Sequence, residues 1–332
     1  MEKPPMILIT GAAGFIGSCL LQYMNEQGVE NIILVDKFTD AVKEKNWKQK
    51  KYKHLVDREL LLDWLDENKP NISFVIHLGA RTNEAETDQT VLQGLNTEYS
   101  EDVWNYCTAF NIPLIYASSA ATYGNGELGY NDDDTMLGDL KPQDAYGISK
   151  HEFDKWAVRQ LNMPPAWAGL KLFNVYGPNE YHKKHAPSEV LNAWKQVEKN
   201  GCIKLYKYHS DESTEEEQQH DFIYVKDVVK IIWWMYNAMT NHEWTPEKNG
   251  IYNIATGNAC CFSDVAEAVF SALDKQPAIT YIELPSANNT FHYAIEVSVV
   301  KLKHAGYHAP FTSLEEGVKD YVRNYLSPNK YY

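Results

Sequence analysis

Basic residues are scarce relative to acidic ones. The chain of 332 residues carries 31 Lys and Arg against 45 Asp and Glu, a formal net charge of −14. Nucleic acid and anionic membrane both call for a basic surface, so neither is expected as a main partner. A small anion held in a locally positive pocket stays open. Cysteine is sparse as well. Cys19, Cys107, Cys202, Cys260 and Cys261 show no metal-ligand spacing, and an odd count fits reduced thiols in the cytosol better than a disulfide framework. No metal site is expected. No apolar run reaches the roughly 18 residues of a membrane span. Met1-Glu2-Lys3-Pro4-Pro5 leads straight into a strand pattern without a secretory leader, so the expected location is cytoplasmic. No internal repeat is visible. What is present is a hydrophobic content of 44%, enough for a sizeable core in one large domain or two smaller ones.

The first structured stretch reads as a nucleotide site. Met6-Ile-Leu-Ile-Thr10 is a continuous apolar run, as in a strand buried on both faces. Gly11-Ala-Ala-Gly14-Phe15-Ile16-Gly17 follows and opens a helical pattern from Ser18 to Gln27. Gly11 suits the tight turn, Gly14 the close approach of a pyrophosphate to the helix N-terminus, and Gly17 close helix–strand packing. The second strand, Asn31-Ile-Ile-Leu-Val35, ends in Asp36, where a ribose-binding carboxylate is expected. Asp36 favours NAD by accepting from a 2′-hydroxyl, whereas Lys37 and Lys43 favour NADP by neutralising a 2′-phosphate. NADP is the working expectation and NAD the alternative. Phe74-Val-Ile-His77-Leu-Gly-Ala80 reads as a further buried strand. Its small end, Ala80, lets a cofactor approach the backbone, and His77 reads as structural. Asn96 opens a helix from Thr97 to Phe110, as a cap or as a contact to the nicotinamide side.

Further on, Pro113-Leu-Ile-Tyr-Ala117 runs into Ser118-Ser119, and Tyr146-x-x-x-Lys150 sits on a helical stretch. That spacing puts both side chains on one helix face. A phenol has an ordinary pKa of about 10, and a neighbouring ammonium lowers it. The pair can then exchange a proton with an alcohol while a hydride moves elsewhere. Ser119, preferred over Ser118, is placed to hydrogen-bond the reacting hydroxyl, because ligands bind beyond strand C-termini in open α/β sheets.

Taken together, Gly11-x-x-Gly14-x-x-Gly17, Asp36, His77-x-Gly-Ala80, Ser119 and Tyr146-x-x-x-Lys150 resemble the extended short-chain dehydrogenases that modify nucleotide sugars. The resemblance covers nearly the whole chain and continues in Leu172-Phe-Asn-Val-Tyr-Gly-Pro178 and His220-Asp-Phe-Ile-Tyr-Val-Lys-Asp227. Within that family the heptose 6-epimerases look most similar, on Tyr116-Ala-Ser-Ser-Ala-Ala-Thr-Tyr-Gly124, on Phe173 to Pro178 with Glu180, His182 and Lys183 just after, and on Ala305-Gly-Tyr-x-x-Pro-Phe311.

The resemblance implies a Rossmann-like doubly wound parallel sheet with a smaller, discontinuous α/β substrate domain. The first comprises residues 1–172 plus about 221–256, the second 173–220 plus about 257–332. It implies one tightly bound cofactor per subunit and a homo-oligomer, pentameric in that branch. The implied reaction is inversion at C6 of an ADP-heptose through a transient 6-ketone. Tyr146 is then one acid–base group, and a lysine past the Asn-Val-Tyr-Gly-Pro motif, Lys183 or the adjacent Lys184, is the second. Asn174, His182, Lys183 and His220 are implied substrate contacts. His220 stands where relatives carry arginine, which binds phosphate in a bidentate, always charged way. Sugar-nucleotide dehydratases carry an Asp-Glu pair beside the serine, and here Ala120 and Ala121 fill those places. A UDP-hexose 4-epimerase shares the serine, tyrosine and lysine but has no need of Lys183. A non-catalytic nucleotide-sugar-binding protein has no need of Ser119, Tyr146 or Lys150. The acidic run from His209 to Gln219 reads as a solvated loop.

Overall fold

The computed structural model describes residues 3–82, 88–183, 186–207, 219–283 and 296–332. Lys184 and the acidic run up to Gln218 lie outside the described residues, as does most of the Arg81–Asp88 loop.

The apolar runs form strands: β1 (Met6–Thr10), β2 (Ile32–Asp36), β3 (His54–Asp57), β4 (Ile72–His77), β5 (Leu114–Ser119) and β6 (Trp167–Leu172). They are followed by β7 (Asn174–Tyr176), β8 (Ile203–Lys207), β9 (Gln219–Tyr224), β10 (Gly250–Ile254), β11 (Ala259–Cys261) and β12 (Ile279–Glu283). Seven of these make one sheet in the order β10-β6-β5-β4-β1-β2-β3, all neighbours parallel. Alternate residues serve opposite faces. Ile7 and Ile9 pack into the core under helices Phe15–Glu26 and Val225–Thr240, and Leu8 into the core under Tyr99–Ala109 and Ala145–Ala157. Two apolar faces explain why the strands read as uninterrupted hydrophobic runs. The chain moves outward from β1 to β3 and then returns to β4 on the other side of β1. The crevice at that reversal is where ligands of open α/β sheets bind.

The smaller half consists of a three-stranded sheet, β11-β9-β7, and a two-stranded one, β12-β8. Gln219–Tyr224 pairs with Asn174–Tyr176 there, so the return to the large sheet starts at the helix Val225–Thr240 and not at Asp221. One local expectation also changes. Asn96 caps nothing. The helical stretch starts at Gln89, with Asp88 as its cap, and Asn96 lies inside a π-helical turn, Gln93–Glu98, before Tyr99–Ala109. Its amide is committed elsewhere, as described below. Phe262–Ala272 has Cys261 at the cap position, and the Asp264 carboxylate accepts from the Cys261 N–H at 2.7 Å.

Candidate active site

The glycine loop joins β1 to the helix Phe15–Glu26 with almost no spare room. Gly11 has φ +67°, and a Cβ there would lie 2.7 Å from the Leu78 and Gly79 backbone. A Cβ on Gly17 would lie 2.3 Å from the Gly11 carbonyl oxygen. Asp36 braces the loop: its carboxylate accepts from the Ala13 N–H at 2.9 Å and from the Lys37 N–H at 2.7 Å. Lys43 Nζ stands 3.7 Å from the same carboxylate. Lys37 faces Glu59 at 3.5 Å on the surface.

Beyond β4, a chain of hydrogen bonds fixes the floor. Thr10 Oγ1 accepts from the Gly79 N–H at 3.0 Å and bonds His77 Nδ1 at 2.6 Å. His77 Nε2 meets Ser100 Oγ at 2.9 Å, and Ser100 donates to the Asn96 carbonyl. Burial, helped by the Lys150 charge, pulls His77 down to about 3. It is a neutral structural ring, as its strand position suggests. Asn96 accepts from the Arg81 N–H at 2.7 Å, and its amide donates to the Arg81 carbonyl at 3.1 Å and to Ser149 Oγ at 3.0 Å. The π-turn thus ties the loop after β4, where half-buried Ala80 sits, to the residue next to Lys150.

The helix Ala145–Ala157 carries the Tyr146–Lys150 pair. Asp144 caps it, accepting from the Gly147 N–H at 2.6 Å. A Cβ on Gly147 would lie 2.8 Å from the Ala121 carbonyl oxygen, so this glycine lets the helix approach the turn after Ser119. Tyr146 is half-buried and Lys150 is 1% exposed. Burial pulls Lys150 down to about 8, against the pull of Asp154. Asp154 is itself fully buried. It accepts from Ser118 Oγ at 2.6 Å and Tyr116 OH at 3.1 Å. Burial raises its pKa, and the charges of Lys171 and Lys150 oppose the rise. The two serines therefore part: Ser118 points into the core, whereas Ser119 is half-buried at the strand end, its Oγ accepting from the Ala121 N–H at 3.2 Å.

Lys183 comes from the opposite side. Its Nζ sits 4.7 Å from the ring centroid of Phe15, on the helix that packs against the other face of the sheet. The segment before it is anchored by Glu180, fully buried, which accepts from Ser188 N–H at 2.7 Å, Ser188 Oγ at 2.6 Å and the Gly177 N–H at 3.3 Å. His182 lies against Asn179 O, at 3.1 Å, on the side of the crevice near Lys43. Burial and the nearby Lys43 and Lys183 charges pull it down to about 4. Asn174 is exposed and donates to the Asp221 carbonyl at 3.0 Å. His220 stacks near Phe262 at 4.8 Å between ring centroids. These two sit together in the small sheet, apart from His182. Three anchors carried no role in the sequence reading: Asp154, Gly147 and Asn46. Asp154 had a signal, since it repeats the helical step from Tyr146 through Lys150. Asn46 had none.

Residues 7–255 match the model of the NAD dependent epimerase/dehydratase family. The chain belongs to this family. A Fusobacterium nucleatum protein named ADP-L-glycero-D-manno-heptose-6-epimerase is 44% identical, over 98% of this chain and 100% of its own length. One of the same name from Nitratidesulfovibrio vulgaris is 39% identical, over 97% and 98%. Among solved structures, Helicobacter pylori ADP-L-glycero-D-manno-heptose-6-epimerase superposes with a TM-score of 0.79 at 25% identity, covering 97% of this chain and 96% of that one. Thermus thermophilus UDP-glucose 4-epimerase, in complex with NAD, has the same fold, with a TM-score of 0.72 at 24% identity over 96% and 97%. The glycine cradle and the buried lysine fit the nicotinamide dinucleotide that the family name implies. Among the described residues no cluster of metal-ligating side chains occurs and no helix is long and apolar enough to cross a membrane.

Proposed function

We propose that the protein inverts C6 of ADP-D-glycero-D-manno-heptose by oxidation to a 6-ketone and re-reduction on the other face. The observation that supports this reading is that Tyr146 and Lys150 lie on a helix packed on one face of the large sheet, whereas Lys183 lies over Phe15, on a helix of the other face. A group on one side serves one orientation of the sugar only, and inversion requires both. When bound, the nicotinamide supplies a reversible hydride acceptor. Tyr146, beside Lys150, would take the proton of the C6 hydroxyl. Ser119 holds the same oxygen. Once the ketone has turned, Lys183 would give a proton to the carbonyl oxygen, and exchange with solvent would then take the proton from Tyr146 and restore that of Lys183. Substrate and product are isomers, so no net oxidation occurs.

Asn174 and His220 are assigned to the sugar-nucleotide end, and Asp36, Lys37 and Lys43 to the ribose of the cofactor. Lys37 and Lys43, beside Asp36, support NADP. Mass analysis of the nucleotide released on denaturation decides this, and release of NAD reverses it. The same reading takes the enzyme as a cytoplasmic homo-oligomer, pentameric like the branch it resembles. The test is incubation with ADP-D-glycero-D-manno-heptose and NMR at C6. Both C6 epimers are expected to accumulate. Inversion of UDP-glucose at C4 with no change in the heptose would overturn the assignment.

A further inference from the structure

Lys183 belongs to no helix or strand. The segment that carries it is held by buried side chains from distant parts of the chain, and one of them also reaches the cofactor cradle. Asn46, on the helix Ala41–Trp47, is 1% exposed. Its Nδ2 donates to the Ala13 carbonyl at 3.0 Å and to the Asn179 carbonyl at 3.2 Å. Ala13 is the middle of the glycine loop, and its own N–H is held by Asp36. Asn179 lies four positions before Lys183 in a left-handed turn, φ +74°. Its side-chain amide donates to Ser18 Oγ at 3.0 Å and to the Tyr332 carbonyl at 2.9 Å, and accepts from the Tyr332 N–H at 2.9 Å. The Asn179 carbonyl also meets His182 Nδ1, and Lys183 closes the turn by donating its N–H to Glu180 O at 2.9 Å.

We propose that Asn46 is a positioning residue that fixes the Lys183 segment to the glycine loop, so that the cofactor cradle and the second acid–base group keep one geometry. The inference rests on the reading of Lys183 as that group. Both carbonyls that Asn46 serves are strong acceptors that require a partner when buried. Its loss takes this partner from the Ala13 carbonyl and leaves the Asn179 carbonyl to His182 Nδ1, so the tie between the two segments is gone. A displacement of about 1 Å at a reacting group costs on the order of 10²-fold in rate.

The experiment is a double-mutant cycle on the full chain. Asn46→Ala is expected to lower kcat for the heptose at least about 10-fold while KM changes by less than about 3-fold, since geometry and not ground-state binding is lost. In the Lys183→Ala background the same change is expected to add less than about 2-fold, because residues acting through one another are not additive. A full, additive loss in that background overturns the proposal, as does an unchanged kcat. A second readout needs no sugar. Amide hydrogen exchange across residues 179–183 is expected to quicken at least about 10-fold in Asn46→Ala, with Ala145–Ala157 unchanged. Unchanged exchange across 179–183 overturns the proposal even if the heptose turns out not to be the substrate, so the two failures are told apart. If Asn46→Ala does not fold, Asn46→Leu carries the same measurements, since it keeps about the same side-chain size and removes the Nδ2 donor that both carbonyls share.

Discussion

The two walls of the crevice are built in different ways. The wall with Ser119, Tyr146 and Lys150 is regular structure: a strand end, a capped helix, and a buried carboxylate, Asp154, under the lysine. Tyr146, Lys150 and Asp154 follow one another by helical steps, and Ser119 comes from the end of the strand Leu114–Ser119. The wall with Lys183 is an irregular turn held from a distance by Asn46 and the Tyr332 backbone, and locally by Glu180. The first wall is preorganised by secondary structure, the second by tertiary contacts. The first should therefore tolerate little change in backbone approach, whereas the second should be sensitive to residues that never touch a ligand.

The largest expected effect is on the first wall. Tyr146→Phe keeps the ring and removes the proton-carrying oxygen, and kcat should fall about 10³-fold, within the range for a positioned acid–base group. Steady-state assays showing a loss under tenfold would remove Tyr146 from proton transfer. On the second wall, Lys183→Ala should cost about 10²-fold, the lower end of the same range, with the cofactor still retained through purification. A near-normal rate would leave a one-walled site.

The pH profile sharpens the contrast next, because Lys150 is buried and falls to about 8. Its charged form supports the phenolate, so kcat should decline roughly tenfold per unit as pH rises above that value. Stability should move the other way. The folded pKa lies below the unfolded value, so between about 8 and 10 the unfolded chain binds the extra proton and unfolding becomes harder as pH rises. Denaturant titrations of wild type and Lys150→Met at both ends of that window isolate this contribution. The smallest effect is Gly147→Ala. Its Cβ would press on the Ala121 carbonyl at 2.8 Å, and overpacking of this kind costs about 1–3 kcal/mol. Thermal melts should show a lower Tm, and an unchanged Tm would mean that the helix yields freely there.

The legibility of the chain divides along the same line. Strands such as Met6–Thr10 and Ile32–Asp36 were readable because burial on both faces leaves apolar runs, whereas the edge strand His54–Asp57, half exposed, and Trp167–Leu172 were not read. The glycine loop was readable because each glycine answers a local steric need, and Tyr146 with Lys150 because the helical step is fixed. Asn96 was misplaced, since nothing local announces a π-turn. Its position follows from hydrogen bonds to Arg81 and Ser149. The pairing of Gln219–Tyr224 with Asn174–Tyr176 was illegible for a similar reason, since it joins segments across a long stretch of chain. Asn46 on its short helix offered no pattern at all, and only the folded chain sets it between Ala13 and Asn179. His77, by contrast, read correctly as structural, because a histidine in a buried strand is most often satisfied by its neighbours.

The central claim is that hydride leaves one face of C6 and the same hydride returns to the other. The direct measurement uses ADP-D-glycero-D-manno-heptose carrying deuterium at C6, incubated in ordinary water and read by NMR and mass spectrometry. The account predicts an inverted product that keeps its deuterium at C6. Inversion with loss of the label to solvent would contradict it, because the hydrogen at C6 would then have left as a proton.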